Sequence, residues 1–295
     1  MVTLFLKQDT SHRPPRPTAT LPGAIHVLPT LALLIGFCIA AIPPVRPTPL
    51  SADDGDRTAP AVRQGQAVVE KSLRAYGGEA RILSLSSFVF EYRIQSPSQP
   101  DSKTLSAKVF FNDSDQFRSE VRDGALKVVT ILSGNRGWVD VAGTMLTRPV
   151  RELAPLRNET LSLLRPDLLL LIFSKYRYST RITEEGRSLD QLEVSGFVDG
   201  EYIRGRLSIN LDTWLIDRYE YEIERATRSG TGIFRGEARY LEYGEVRGFQ
   251  SPRKILSRKT GITSQITVTA AALGEPIDPN LFREKESPST PAGQP

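Results

Sequence analysis

Apolar residues recur at every second position through most of the chain after residue 87. Phe88, Phe90, Tyr92 and Ile94 alternate with Val89, Glu91 and Arg93, the pattern of a half-buried strand. Strand-like runs with turn signals between them follow: TLSAKVFFN, QFRSEVR, ALKVVTILS and GWVDV, separated by Asp123-Gly124 and Ser133-Gly134-Asn135. The second half continues with YRYSTRIT, LDQLEVSGFV, the turn Asp199-Gly200, YIRGRLSIN, WLIDRYEYEIERA, GIFRGEARYLEY, SPRKILSR and ITSQITVTA. Spacing near ten residues means hairpin after hairpin, and about ten or eleven strands are expected.

Two stretches break the period. From Pro60, Val62, Gln66, Val69, Leu73 and Tyr76 fall at three- and four-residue steps, which predicts an amphipathic helix stopped by Gly77-Gly78. Residues 150–175 read as two short helices parted at Arg165-Pro166, with Pro166 in the first turn of the second. Leu168 to Phe173 is apolar all round, so this second helix must be buried, and the sheet is the available surface. A long antiparallel sheet apolar on one face has to curl, split or be covered. The expected fold is therefore mainly β with a few helices: a strongly curved, unclosed antiparallel sheet covered by the N-terminal helix and the central helical pair.

The first sixty residues differ in kind. Leu28–Ile42, LPTLALLIGFCIAAI, is an apolar run too short to span a membrane comfortably and suits the core of a signal peptide. Ala40 and Ala41 offer a cleavage site, so residues 1–41 are expected to be a signal peptide or an uncut N-terminal anchor. The proline-rich stretch 42–60 reads as a linker, 61–283 as one β domain and 284–295 as a disordered tail. The protein is expected to be periplasmic or otherwise extracytoplasmic, with membrane association through residues 28–42 if they are retained. Phe37 stands where a lipid-modified cysteine motif wants a small residue, so Cys38 is read as part of the apolar run.

Composition narrows the chemistry. The only cysteine, Cys38, and both histidines, His12 and His26, precede residue 42. Without that segment the chain lacks the side chains of Ser-His-Asp and Cys-His catalysis and of the usual zinc sites, so no enzyme, metal or cofactor is expected. The net charge of +4 falls to +2 once Lys7, Arg13, Arg16 and Asp9 are set aside, and this speaks against nucleic-acid binding. Arg253, Lys254, Arg258 and Lys259 read as a solvated strand face. Glu184-Glu185, Asp212, Asp217, Glu220, Glu222 and Glu224 read as solvated carboxylates, as does the linker pair Asp53-Asp54.

Six segments in order carry a resemblance: KSLRAYGGEARILSLSSFVFEYRI, GNRGWVDVAGT, the central helices, SINLDTWLIDRYEYEI, YGEVRGFQSPRKI and the closing IDPNLF. Over residues 62–283 the chain resembles the LolA/LolB-like family of outer-membrane lipoprotein carriers. The resemblance implies an unclosed β-barrel whose hollow, lidded by helices, takes acyl chains or other apolar ligands. The founding carriers use a strand arginine to hold the lid, and no arginine here is matched to it.

The implied partner is an apolar small molecule, lipid or lipidated protein, bound by a monomer. The expected groove lining and lid are Phe88, Phe90, Tyr92, Val109, Phe111, Phe117, Trp138, Leu168, Leu169, Leu171, Ile172, Phe173 and Trp214. For Trp138 and Trp214 the role of core anchor is preferred to that of ligand platform, and the apolar helix serves equally as an ordinary buried one. The competing function is an envelope scaffold or interaction domain with a filled core.

Overall fold

A computed structural model describes residues 58–97, 103–113, 115–198, 200–227, 230–259 and 261–283. The expected signal segment with Cys38, His12 and His26, nearly all of the linker, and the tail lie outside the described residues.

Thirteen strands form one antiparallel sheet in the order β6-β5-β4-β3-β2-β1-β13-β12-β11-β10-β9-β8-β7. β1 is Ser87–Gln95, β2 Leu105–Asn112, β3 Gln116–Asp123, β4 Leu126–Ser133, β5 Arg136–Val141 and β6 Thr144–Thr147. The second half comprises β7 Lys175–Glu184, β8 Arg187–Val198, β9 Glu201–Asn210, β10 Ile216–Thr227, β11 Gly230–Val246, β12 Phe249–Lys259 and β13 Ile262–Leu273. Every pairing joins sequence neighbours except β1 with β13, which fuses two meanders into one sheet. β6, four residues long, is the strand too short for its period to register in the sequence.

The edges, β6 and β7, do not pair, so the barrel is unclosed. They are consecutive in the chain, joined only by residues 148–174. Flat, thirteen strands would set the edges about 58 Å apart. The connection reaches about 50 Å at full stretch, given its helical rise and few extended residues. A break at Arg165 shortens it further, so the sheet has to curve toward the side on which the connection lies.

That connection comprises α3 (Val150–Leu164), a 3₁₀ turn (Pro166–Leu168) and α4 (Leu169–Ile172). The central helical pair is thus unequal: the apolar half is one 3₁₀ turn and one α turn. N-terminal to the sheet lie α1 (Thr58–Ala75) and the short α2 (Glu79–Leu83). The buried stripe of α1 is Gly65, Val68, Val69, Ser72 and Leu73, running on to Tyr76, while Val62 and Gln66 face solvent. Close approach sets that stripe: a Cβ on Gly65 would lie 2.9 Å from the Tyr176 carbonyl oxygen of β7.

Register fixes the roofed face. Phe88, Phe111, Phe117 and Leu132 form one row, and Tyr92, Ala107, Val121 and Val128 another. Across β13 the face continues through Val268, Ile266, Ile255 and Tyr240, then through Ala238, Tyr219, Leu207 and Leu192. Leu153 of α3 meets this face at Gly137, where a Cβ would come within 2.8 Å of it.

The opposite face divides in two. Over β7–β12 it is a lattice of cross-strand ion pairs, among them Arg177–Glu193, Arg206–Glu220, Arg204–Glu222 and Arg235–Glu222. Glu184 is held by Arg218 and Arg239, and Asp217 by Arg187. Over β2–β5 the same face carries an apolar cluster, Val129, Ile131 and Trp138 packed with Phe282, beside the ion pairs of Glu120 with Arg118 and Lys127.

Candidate functional site

The floor of the candidate site is the roofed face, and the structure brings most of the expected residues to it. Phe88, Phe90, Tyr92, Val109, Phe111 and Phe117 share that face on β1–β3. Phe88 lies 4.4 Å from Phe111, and Phe111 lies 5.0 Å from Phe117, centroid to centroid. Leu169 and Phe173 of the roof are buried, with Phe173 6.1 Å from Tyr219 of the floor. Leu168 and Leu171 are half-buried, and Ile172 is exposed, since a single α turn cannot aim every residue inward.

Both tryptophans lie elsewhere. Strand parity puts Trp138 on the outer face with Ile131 and Phe282, because its neighbours Gly137 and Val139 take the inner positions. Trp214 occupies the β9–β10 connection at φ 60°, half-buried, with Lys71 Nζ of α1 4.5 Å from its ring. Neither side chain is part of the floor described by the strand rows.

The roof is fastened by tyrosine hydroxyls, which the sequence reading did not single out. Ser162 in the last turn of α3 would ordinarily receive the N–H of residue 166, but Pro166 has none. Tyr240 supplies the missing donor, its hydroxyl 2.6 Å from the Ser162 carbonyl oxygen. At α4 the Tyr176 hydroxyl bridges the Leu169 carbonyl and the Phe173 N–H. It donates to Leu169 O at 3.0 Å and accepts from Phe173 N at 3.2 Å.

A third group ties α1 to the sheet. Tyr243 Oη donates to the Ile216 carbonyl at 2.7 Å, and Ile216 N donates to Tyr76 Oη at 3.2 Å. Each hydroxyl has one proton, so Tyr76 must donate across the 2.8 Å contact to Tyr243, which closes the ring. Burial raises the pKa of Tyr76, Tyr176, Tyr240 and Tyr243 far above the ordinary phenol value. These hydroxyls therefore stay protonated donors at any physiological pH. An ion pair between Glu159 of α3 and Lys259 of β12 adds one further tie.

The roof also holds a buried charge pair. The Nε of Arg165 lies 2.9 Å and 3.1 Å from the two carboxylate oxygens of Asp167, and its Nη2 lies 2.6 Å from Oδ2. The guanidinium stands over the Phe88 ring, 5.0 Å from its centroid. Its Nη1 is buried with no hydrogen-bond partner among the described residues.

The interior is closely filled. Phe90, Val109, Phe117, Leu207 and Ile255 each expose 0% of their surface. Among the described residues no three His, Cys, Asp or Glu side chains gather in a way that could hold a metal ion. The carboxylates weighed from the sequence at 184, 185, 217, 220 and 222 are engaged in outer-face ion pairs.

A signal for the tyrosines was present in the sequence. Tyr176 and Tyr240 sit at inward positions of strands, where a phenylalanine would pack as well, so each hydroxyl there asks for a partner. Which backbone group answers is a tertiary matter.

No protein-family model and no curated protein matches the sequence. Among solved structures the chain is similar to a LolA superfamily protein from Nitrosomonas europaea, at 14% identity over 75% of this chain and 97% of that one, with TM-score 0.47. It is similar to a DUF1329 family protein from Desulfovibrio piger, at 13% identity over 74% and 97% of the two chains, with TM-score 0.49. A putative outer membrane lipoprotein-sorting protein domain from Vibrio parahaemolyticus gives 8% identity over 75% and 97%, with TM-score 0.47.

Proposed function

We propose that this chain is an extracytoplasmic, non-enzymatic binding module that carries an apolar guest, a lipid, acyl chain or lipidated protein, between its curved sheet and its helical roof. The observation that carries the reading is the fastening of the roof. Beyond its apolar contacts, α3 and α4 are tied to the floor by the hydroxyls of Tyr240 and Tyr176 and by the Glu159–Lys259 pair.

A filled interior agrees with this reading if the guest replaces the roof's own side chains. Lifting Leu153, Leu164, Leu169, Leu170 and Phe173 off the floor costs about 10 kcal/mol at about 1.5–3 kcal/mol per side chain. A sixteen-carbon chain laid in their place returns about 12 kcal/mol at about 0.8 kcal/mol per methylene. The two quantities are of one size, so exchange of roof for guest is close to balanced. A guest much shorter than this would not open the roof.

The competing reading, a scaffold domain of the envelope, is favoured by one observation: floor residues such as Phe90 and Val109 expose nothing. Mass spectrometry of organic extracts from the protein purified out of its own host separates the two. Near-stoichiometric lipid, together with saturable uptake of a fluorescent long-chain probe, is expected of a carrier. Extracts without lipid, and no uptake, would establish the scaffold.

A further inference from the structure

The roof contains a polar feature that an apolar guest alone does not explain. Arg165 and Asp167 expose 4% and 3% of their surfaces, next to the buried Leu164, Leu169 and Leu170. Burying a charge pair is costly, and a hydrophobic pair of the same size often serves stability as well. Asp167 occupies the Nε–Nη2 edge of the guanidinium and leaves Nη1 buried with no hydrogen-bond partner among the described residues. An orphaned buried donor is costly, the more so on a charged group.

We propose that the guest is an acyl ester or amide, and that its carbonyl oxygen accepts a hydrogen bond from Nη1 of Arg165. The inference rests on the carrier reading and adds the chemical class of the guest. Charge decides that class. Arg165 and Asp167 already neutralise each other, so a carboxylate or phosphate brought to Nη1 would place a second negative charge beside Asp167 with nothing to balance it. A neutral carbonyl supplies the acceptor and leaves the balance intact. Position agrees: the guanidinium lies over Phe88, in the floor row that continues through Phe111, Phe117 and Leu132. A carbonyl at Nη1 therefore has its hydrocarbon tail beside apolar floor.

The test uses two molecules of equal chain length and headgroup that differ in the carbonyl alone, 1-palmitoylglycerol and 1-O-hexadecylglycerol, with palmitate as the charged comparison. Each competes with a fluorescent long-chain probe for the purified domain. The ester is expected to bind about tenfold more tightly than the ether, the worth of one hydrogen bond to a charged donor, and palmitate is expected to bind no better than the ether. In the double variant Arg165→Met, Asp167→Leu, which removes both charges together, the ester should fall to the affinity of the ether.

Equal binding of ester and ether by the unaltered protein, or an ester preference that survives in the double variant, would overturn the inference and leave the carrier reading standing. Failure of the unaltered protein to bind any of the three would remove both. If the double variant does not fold, the infrared carbonyl stretch of ¹³C-labelled 1-palmitoylglycerol decides. A shift to lower frequency on binding supports the hydrogen bond, and an unshifted band overturns it.

Discussion

Changing Tyr240 to Phe removes one oxygen from the molecule and tests how the roof is held. The ring still fills its place between β11 and α3, so packing is conserved and the effect isolates the hydroxyl. What is lost is the hydroxyl donor to the carbonyl of half-buried Ser162, a group that Pro166 cannot serve. An orphaned buried acceptor costs about 1–3 kcal/mol. For a domain of this size that is about 3–8 °C in Tm. The more telling readout is local: amide hydrogen exchange across Val150–Leu164, followed by mass spectrometry, should quicken by about tenfold for each 1.4 kcal/mol lost from the closed roof. Amides of β1 and β2, such as Phe90 and Val109, should quicken only as far as global stability falls. If α3 amides exchange at the unaltered rate, or change only in step with those strands, the hydroxyl does not fasten a separable roof.

Other expectations follow from the same geometry. Burial by itself would raise the Glu120 carboxyl, but hydrogen bonds from Lys127 and Arg118 outweigh it and hold the group below its ordinary value. Its folded pKa being depressed, the contribution of Glu120 to stability is present above the unfolded value near 4.5 and is lost as pH falls. The Tm difference between the unaltered chain and Glu120→Gln should therefore be seen at neutral pH and vanish in acid. A Gly205→Ala side chain would collide with the Glu220 carbonyl oxygen, so thermal melting should show a loss of about 3 kcal/mol. Phe282→Ala opens the outer-face cluster around Trp138 and should cost about 3–5 kcal/mol in denaturant unfolding. Probe affinity measured well below its melting range should stay unchanged, because that cluster lies on the face away from the roof.

Much of the fold was legible because strand pattern is local. The alternation of Phe88, Phe90 and Tyr92, and of Tyr219, Tyr221 and Ile223, states which residues share a face, and the turns at Asp123-Gly124 and Ser133-Gly134 state where the chain reverses. The helical break at residues 150–173 marks a covering element between two meanders. Trp138 shows where this reasoning stops. In β4 the run from Val128 to Leu132 is buried on both sides, since residues 277–282 return to cover the outer face there. An aromatic residue on the neighbouring strand could belong to either side, and only the returning segment decides.

The sequence alone determined that the domain is a long antiparallel sheet with one apolar face and a short helical cover, because side-chain alternation and helix breakers act within a few residues of one another. Tertiary structure decided the rest. The β1–β13 pairing joins residues far apart in the chain, the donor that Pro166 denies to Ser162 comes from Tyr240, and Nη1 of Arg165, over Phe88, has no partner among the described residues. Hydrogen-bond satisfaction in a buried roof is settled between distant segments, and no local pattern in the chain records it.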